Sequence, residues 1–308
     1  MRIFVAGATG AIGRPLVAQL VKAGHAVIGM ARDEKSARQL REQGAAAEIA
    51  DALNAHAVRE AVVRNAPEIV INQLTALPKK YTPETMQAAI PVDHRLRQEG
   101  GANLQAAAAA AQAKRYILQS CAFWYEEGPG LADESVSLAV NATAYIAQGS
   151  RFYRDMEQAT MAVRGPEVIF LRYGFLYGPG TWYSPDGDAA EQVRSQQAPI
   201  VGDGQGVWSW VHVEDAAAAA VLALDHGRPG AYNIVDDDPS PVRVWLPAFA
   251  NWSKAPAPPH IGPEEAGGED AIYYGMRSRG ASNVKAKREL QFRPRRLEWL
   301  SAAQSRVA

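Results

Sequence analysis

Short apolar runs alternate with amphipathic helical segments along most of the chain. We predict seven buried strands, at 2–6, 26–31, 46–50, 68–74, 115–119, 168–172 and 231–235. Apolar residues recur at helical spacing between them, and we predict helices at 14–23, 35–43, 55–63 and 215–224. Strands that alternate with helices are joined by right-handed crossovers. The pattern therefore predicts an α/β fold with a doubly wound parallel sheet.

A glycine-rich loop follows the first predicted strand and leads into the first predicted helix. It contains Gly7, Thr9, Gly10, Ala11, Ile12 and Gly13. Glycines permit a tight turn, a close approach of the backbone to a pyrophosphate, and close contact between helix and strand. Free N–H groups and the helix dipole then hold the anion. The loop predicts a dinucleotide site in a Rossmann sheet.

The end of the second strand bears on which dinucleotide is bound. NAD sites usually carry an acidic residue there, whereas this chain has Ala31 followed by Arg32. A guanidinium can pair with a 2′-phosphate through two hydrogen bonds. We therefore predict NADP(H) rather than NAD(H) as the cofactor. The alternative is that Arg32 is a solvated residue before a helix capped by Asp33.

The strand–helix alternation weakens after Gly178, where glycine, proline and tryptophan become frequent. We predict that residues 1–180, with 206–238 returning to them, form the dinucleotide-binding Rossmann domain. We assign residues 181–205 and 239–308 to a smaller C-terminal substrate-binding lobe. A chain of 308 residues is long enough for both parts.

Composition and charge exclude several classes of protein. Lys and Arg total 32 against 33 Asp and Glu, a balance that argues against binding nucleic acid or an anionic membrane by charge. The single cysteine, Cys121, excludes an intramolecular disulfide and a zinc site with several thiolates. No apolar run is long enough to span a bilayer. We expect a cytoplasmic protein with a small-molecule substrate, and a homodimer remains open.

Motifs spread over nearly the whole chain resemble one family. Besides the glycine loop they include Asp51 after the third strand, the strand end at 73–76, and Asn103 before an alanine-rich helix. Further matches lie at 171–180, 202–204, 210–215, 232–234 and 286–290. In this order the motifs resemble the extended short-chain dehydrogenase/reductases, also called the NAD-dependent epimerase/dehydratase family.

The resemblance implies roles for further residues near the cofactor. Asp51 and the backbone of Ala52 would bind the adenine. Leu74 and Thr75 would line the ribose and the pyrophosphate. Tyr173 would approach the nicotinamide.

The chain departs from the family at its catalytic residues. The resemblance implies a Ser or Thr and a Tyr-x-x-x-Lys motif, but no lysine occurs between Lys114 and Lys254. Tyr153 keeps the spacing with Glu157, although a carboxylate raises the pKa of a nearby phenol where lysine lowers it. We take Tyr153 as the candidate proton donor.

Two alternatives to Tyr153 remain open. Ser150 with Arg154 would retain a cation at the same spacing, and Tyr145 is a further phenol, followed at the fourth position by Gly149.

Cys121 occupies the position that the family fills with Ser or Thr, and Ser120 precedes it. A thiol donates a hydrogen bond poorly, so support for a developing oxyanion would come from Ser120 or from a backbone N–H.

Four aromatic residues suggest the nature of the substrate. Trp182, Tyr183, Trp208 and Trp210 flank the presumed cleft, which favours a flat, apolar or aromatic molecule. The sequence predicts an NADP(H)-dependent oxidoreductase that reduces a carbonyl or an activated double bond with a non-standard proton donor. The alternatives are an epimerase, isomerase or dehydratase without net redox change, and an NADP-binding regulator without catalysis.

Overall fold

The computed structural model describes residues 1–300, so the last eight residues of the predicted lobe, 301–308, lie outside the described residues. The strands in this range are β1 Arg2–Ala6, β2 Ala26–Ala31, β3 Ala46–Ile49, β4 Ile69–Asn72, β5 Arg115–Cys121, β6 Glu167–Tyr173, β7 Phe175–Tyr177, β8 Ile200–Val201, β9 Val207–Trp208, β10 Trp210–His212, β11 Gly230–Ile234, β12 Ser240–Pro241 and β13 His260–Ile261. Each of the seven predicted strands is present.

The predicted helices are also present, and further helices appear after Asn72. The helices are α1 Gly13–Lys22, α2 Glu34–Glu42, α3 Ala55–Asn65, α4 Pro83–Arg95, α5 Gly101–Ala110, α6 Ala144–Ala162, α7 Asp188–Arg194, α8 Val213–Leu222, α9 Val242–Trp252, α10 Glu269–Ile272 and α11 Val284–Glu289. A π-helical turn, Leu96–Gly100, joins α4 to α5. No helix in this part of the chain has the length and apolarity needed to cross a membrane.

The seven long strands form one sheet in the order β11-β6-β5-β4-β1-β2-β3, and all neighbours are parallel. This confirms the prediction of a doubly wound α/β fold. The chain winds in one direction from β1 to β3 and in the other from β4 onwards. In such sheets ligands bind beyond the carboxyl ends of the strands, where the direction changes. Here that point lies between β1 and β4.

Local chemistry sets where these elements begin and end. Asp33 caps α2 by accepting a hydrogen bond from the backbone N–H of Ser36 at 2.7 Å. The strand predicted over 68–74 stops at Asn72, because its side-chain oxygen accepts from the N–H of Leu74 at 3.0 Å and turns the chain out of the sheet. This turn brings the end of β4 to the glycine loop.

Three apolar clusters fill the interior formed by the described residues. One lies under α3, α5 and α6 and another under α1, α2 and α8, on opposite faces of the sheet. The third joins α7 and α9 to the short strands β8, β9 and β10. It contains residues from both chain segments assigned to the lobe, such as Val193 and Phe249, together with Trp208 and Trp210 from the segment 206–238. The domain boundaries themselves stay a prediction.

Candidate active site

The glycine loop has backbone geometry that only glycine accommodates. Gly7 has a φ of +75°, and a Cβ there would overlap the carbonyl oxygen of Gln73 at the end of β4. A Cβ on Gly13, the first residue of α1, would overlap the carbonyl oxygen of Gly7. Ala8 and Ile12 are buried, whereas Gly10 is exposed. The loop therefore presents its backbone at the amino end of α1, as an anion site requires.

The residues assigned to the adenosine end lie beyond the second and third strands. Arg32 is exposed, and the predicted cap at Asp33 is present beside it. Asp51 is exposed, whereas Ala52 is buried and its carbonyl oxygen accepts from the Asn103 side chain at 2.9 Å.

A cavity of about 620 Å³ extends from the glycine loop to the lobe, beyond the carboxyl ends of β4, β5 and β6. Its wall contains these predicted site residues: Gly10, Ala11, Ile12, Gly13, Thr75, Ser120, Cys121, Tyr153 and Tyr173. Three further predicted residues are close in sequence to these but do not line the cavity: Gly7, Thr9 and Leu74. The fold thus brings the candidate catalytic side chains and part of the loop to one cavity.

Glu157, which follows Tyr153 at the spacing of the family motif, takes part in a buried ion pair. Its carboxylate accepts from Nε of Arg172 at 2.9 Å and from a terminal nitrogen of the same guanidinium at 2.6 Å. The Ser120 hydroxyl also donates to Glu157, at 2.6 Å. Arg172 neutralises the carboxylate, and the Ser120 proton is already engaged. Glu157 therefore holds the end of β5 against α6 and β6.

Two phenols line the cavity from the same helix, α6. Tyr145 and Tyr153 are eight residues apart, and the Trp124 ring lies 5.8 Å from one and 5.9 Å from the other. A Cβ on Gly149 would overlap the indole of Trp124. The space beside Tyr145 where the family motif would place lysine is therefore filled by Trp124.

Burial disfavours the phenolate form of both side chains. It raises the pKa of Tyr145 to about 12, and it raises the pKa of Tyr153 further, although the Arg97 guanidinium acts in the opposite direction. Burial also raises the pKa of the Cys121 thiol to about 12, and the nearby Glu157 carboxylate adds to this rise. Tyr153 retains a proton to donate, whereas Cys121 is a neutral, buried thiol.

A chain of buried polar side chains connects the substrate side of the cavity to the glycine loop. Asp93 binds Arg97, which binds the amide of Gln119. That amide is oriented by its neighbours, so that its oxygen faces Arg97 and its nitrogen donates to Gln73 Oε1 at 3.0 Å. Gln73 in turn donates to the hydroxyl of Tyr173 at 3.1 Å.

Our sequence reasoning missed Asp93, Arg97 and Gln119. The spacing of Asp93 and Arg97, four residues apart, was an available signal for a helical ion pair. Nothing in the sequence placed that pair inside a cavity, because charged pairs at this spacing usually lie on a solvated helix face.

The aromatic prediction is correct in part. Trp182 and Tyr183 line the cavity, and Trp182 stacks on Tyr81 with ring centroids 4.5 Å apart. Trp208 instead borders a neighbouring apolar pocket of about 300 Å³. Placing Trp210 at the cleft was wrong: its ring is fully buried in the core of the lobe, because β10 pairs with β7 beneath other aromatic rings.

Comparison with known proteins identifies relatives of this chain. A model of the NAD dependent epimerase/dehydratase family matches residues 3–235. A Streptomyces protein named 3-diazoavenalumate denitrifying reductase is 38% identical over 309 aligned positions, which cover 97% of this chain and 98% of the relative.

Solved structures share the fold at lower sequence identity. The UDP-glucose 4-epimerase of Thermotoga maritima with UDP-glucose matches with a TM-score of 0.74 at 18% identity, covering 97% of this chain and 95% of that one. A dTDP-glucose 4,6-dehydratase from Streptomyces venezuelae with NAD matches with a TM-score of 0.73 at 18% identity, covering 99% and 98%. At this identity the similarity concerns the fold alone.

Proposed function

The chain belongs to the NAD-dependent epimerase/dehydratase family, and on this premise we propose that it is an NADP(H)-dependent reductase of a small aromatic molecule. Membership of the family makes it an enzyme that depends on a nicotinamide dinucleotide, and the relative named a reductase supports oxidoreductase activity. The observation that carries the finer proposal is the cavity, in which an aromatic wall, two protonated phenols and the glycine loop meet.

The residues of the first crossover fit a dinucleotide. Position 7 admits only glycine, because a Cβ there would overlap Gln73. The loop backbone is therefore uncovered by a side chain at this position, near the amino end of α1, where a pyrophosphate would bind. We assign the loop from Gly7 to Gly13, with Thr9, to the pyrophosphate. Leu74 and Thr75 would border the ribose, and Tyr173 the nicotinamide. Asp51 and Ala52 would hold the adenine. When bound, the reduced dinucleotide supplies a hydride.

Arg32 is the residue that we assign to the 2′-phosphate. It is exposed just after β2 and forms no ion pair or side-chain hydrogen bond with a carboxylate among residues 1–300, so its guanidinium is available to a phosphate. We expect Arg32→Ala to lower the affinity for NADPH by about tenfold or more and to change that for NADH little, since a charge-assisted hydrogen bond contributes about 1.5–3 kcal/mol. Calorimetry with NADPH and with NADH measures the ratio of the two affinities.

Arg38, which is exposed on α2 in the same crossover, offers a matched control. Arg38→Ala should leave the NADPH/NADH ratio unchanged. If Arg32→Ala behaves like Arg38→Ala, the assignment of NADP(H) specificity to Arg32 fails.

The wall of the cavity supports an aromatic substrate. Trp182 with Tyr81, and Phe123 with Phe175, present stacked rings against which a flat molecule can lie. Reduction of a carbonyl or an activated double bond requires a proton besides the hydride. We assign this proton to the hydroxyl of Tyr153, which burial keeps protonated and which has no hydrogen-bond partner among the described residues.

The name of the Streptomyces relative suggests a second electron acceptor, an aromatic diazo group. Replacement of this group by hydrogen releases dinitrogen and takes no proton from the protein. Two features of the site favour this acceptor. The family's lysine is missing, and the Ser120 hydroxyl donates to Glu157 rather than into the cavity. A reaction that needs no proton donor can proceed without the lysine and without a free Ser120 hydroxyl.

The proposal is tested by dinucleotide binding and then by turnover. We expect micromolar binding of NADPH, and NADPH consumption equal to the substrate consumed in a panel of aromatic aldehydes, unsaturated aromatic acids and arenediazonium salts. Conversion without NADPH consumption would instead indicate an epimerase, isomerase or dehydratase. Binding without any turnover would indicate a regulator.

Gly7→Ala should weaken NADPH binding by at least about tenfold, because the new Cβ overlaps Gln73 and the loop must shift. Gly24→Ala is the matched control. Gly24 also has a positive φ, of +79°, but a Cβ there meets nothing within 4 Å. Both variants carry the same backbone strain, and only the first disturbs the loop. Equal NADPH affinities in the two would contradict the proposed pyrophosphate site.

A further inference from the structure

Arg97 is a buried cation in the wall of the active-site cavity, and no step proposed above uses it. Its side chain is only 6% exposed, and it lies in the π-helical turn Leu96–Gly100 between α4 and α5. A π-helical turn shifts the side-chain register of a helix and occurs frequently at functional sites. Here the turn directs a residue of a continuous helical segment towards the carboxyl ends of β4 and β5.

Two protein groups fix the orientation of the guanidinium. Nε donates to Asp93 at 2.6 Å, and the two terminal nitrogens donate to the amide oxygen of Gln119 at 2.7 and 3.1 Å. Asp93 is itself anchored, because it accepts from the backbone N–H of Ala76 at 2.6 Å. A guanidinium has five N–H donors. Two of those of Arg97, one on each terminal nitrogen and directed to opposite edges of the guanidinium plane, therefore have no protein partner among residues 1–300.

The guanidinium lies beside the candidate proton donor. Its carbon is 5.5 Å from the ring centroid of Tyr153, and both side chains line the cavity. Lys79 and His94 also line this cavity, as do Asp186 and Asp188, which already accept hydrogen bonds from Ser184 and from the backbone of Tyr81, respectively. The two free donors of Arg97 are thus next to the aromatic walls and the phenol.

We propose that Arg97 binds a carboxylate of the substrate, which makes the substrate an aromatic acid. This inference rests on the proposed function and names its substrate class. A free terminal N–H of Arg97 can donate a charge-assisted hydrogen bond to one oxygen of a carboxylate, and a group held by Asp93 and Gln119 loses little freedom on binding. Asp93 offsets part of the charge attraction, so this hydrogen bond supplies much of the selectivity. We expect a preference for a carboxylate over an amide of about tenfold or more, which corresponds to about 1.4 kcal/mol.

Binding, without turnover, tests this inference. Calorimetry on the full chain saturated with NADP⁺ would compare benzoate and cinnamate with benzamide and cinnamamide. We expect the wild type to bind the acids at least about tenfold more tightly than the amides. Arg97→Lys should remove this preference, because the shorter ammonium side chain, held by Asp93 and Gln119, has no outer terminal N–H that reaches a bound carboxylate. Each amide should bind to the wild type and to Arg97→Lys with affinities that differ by less than about threefold.

A second variant and a control cover the risk of misfolding. Asp93→Asn/Arg97→Met removes the buried pair together, so that no unpaired charge remains, and should also lose the preference. Arg95→Met is the matched control: Arg95 lies two residues away on α4, exposed and paired with Glu99. Its preference for acids should equal that of the wild type. Thermal unfolding would confirm that each variant is folded.

The outcomes separate this inference from the proposed function. A wild type that binds acids no better than amides, or not at all, overturns the carboxylate site. A preference that survives in both Arg97 variants overturns it as well and makes Arg97 a support for Tyr153. If the preference is present and depends on Arg97, but no aromatic acid is reduced, the carboxylate site stands and the proposed reductase activity fails.

Discussion

Tyr153→Phe is expected to lower the turnover of a carbonyl or activated double bond by about 10²–10⁴-fold, the usual contribution of a positioned general acid. The substitution removes only the hydroxyl. The ring can therefore keep its contacts with Trp124 and Arg97. Affinity for NADPH should stay unchanged, because the phenol is on the substrate side of the cavity. Steady-state kinetics, with NADPH absorbance as the signal, and calorimetry measure the two quantities.

Tyr145→Phe is the matched control for this prediction. Tyr145 is on the same helix, lines the same cavity and lies at a similar distance from Trp124, but no cation among residues 1–300 stacks on its ring. Its loss should change turnover less than tenfold. If Tyr145→Phe is the impaired variant and Tyr153→Phe is not, the two assignments must be exchanged. With a diazo substrate neither variant should be slow, because no proton is required.

Glu157→Ala should lower the free energy of unfolding by about 3–5 kcal/mol. The side chains of Glu157 and Arg172 are 11% and 10% exposed, so removal of the carboxylate leaves a guanidinium buried without its counter-charge. The Ser120 hydroxyl loses its acceptor at the same time. Urea denaturation followed by circular dichroism measures the change.

An exposed pair provides the comparison for this stability prediction. Glu34 and Arg41 are joined at 2.6 Å, but their side chains are 56% and 49% exposed. Glu34→Ala should therefore cost at most about 1 kcal/mol. The double variant Glu157→Ala/Arg172→Met should recover part of the loss, since it leaves no unpaired charge. A Glu157→Ala protein as stable as Glu34→Ala would show that the buried pair contributes nothing.

The cavity was only partly predictable, because helix-face patterns do not reveal which polar residues point inward. Strand patterns have the same limit: Trp210 was predicted to flank the cleft, yet pairing of β10 with β7 buries it. Arg97 illustrates the converse, since its spacing from Asp93 is typical of a solvated helix. A single π-helical turn moves it into the cavity.

The sequence by itself determined the doubly wound sheet, the glycine loop and the loss of the family's lysine, because these depend on local periodicity and on the presence or absence of a residue type. Tertiary structure decided what surrounds the two positions that the family motif gives for that lysine, counted from Tyr153 or from Tyr145. Glu157 faces Arg172 on another strand, and Trp124 occupies the space beside Gly149. These contacts join residues between 15 and 25 positions apart, and their geometry exists only once β5, α6 and β6 are packed together.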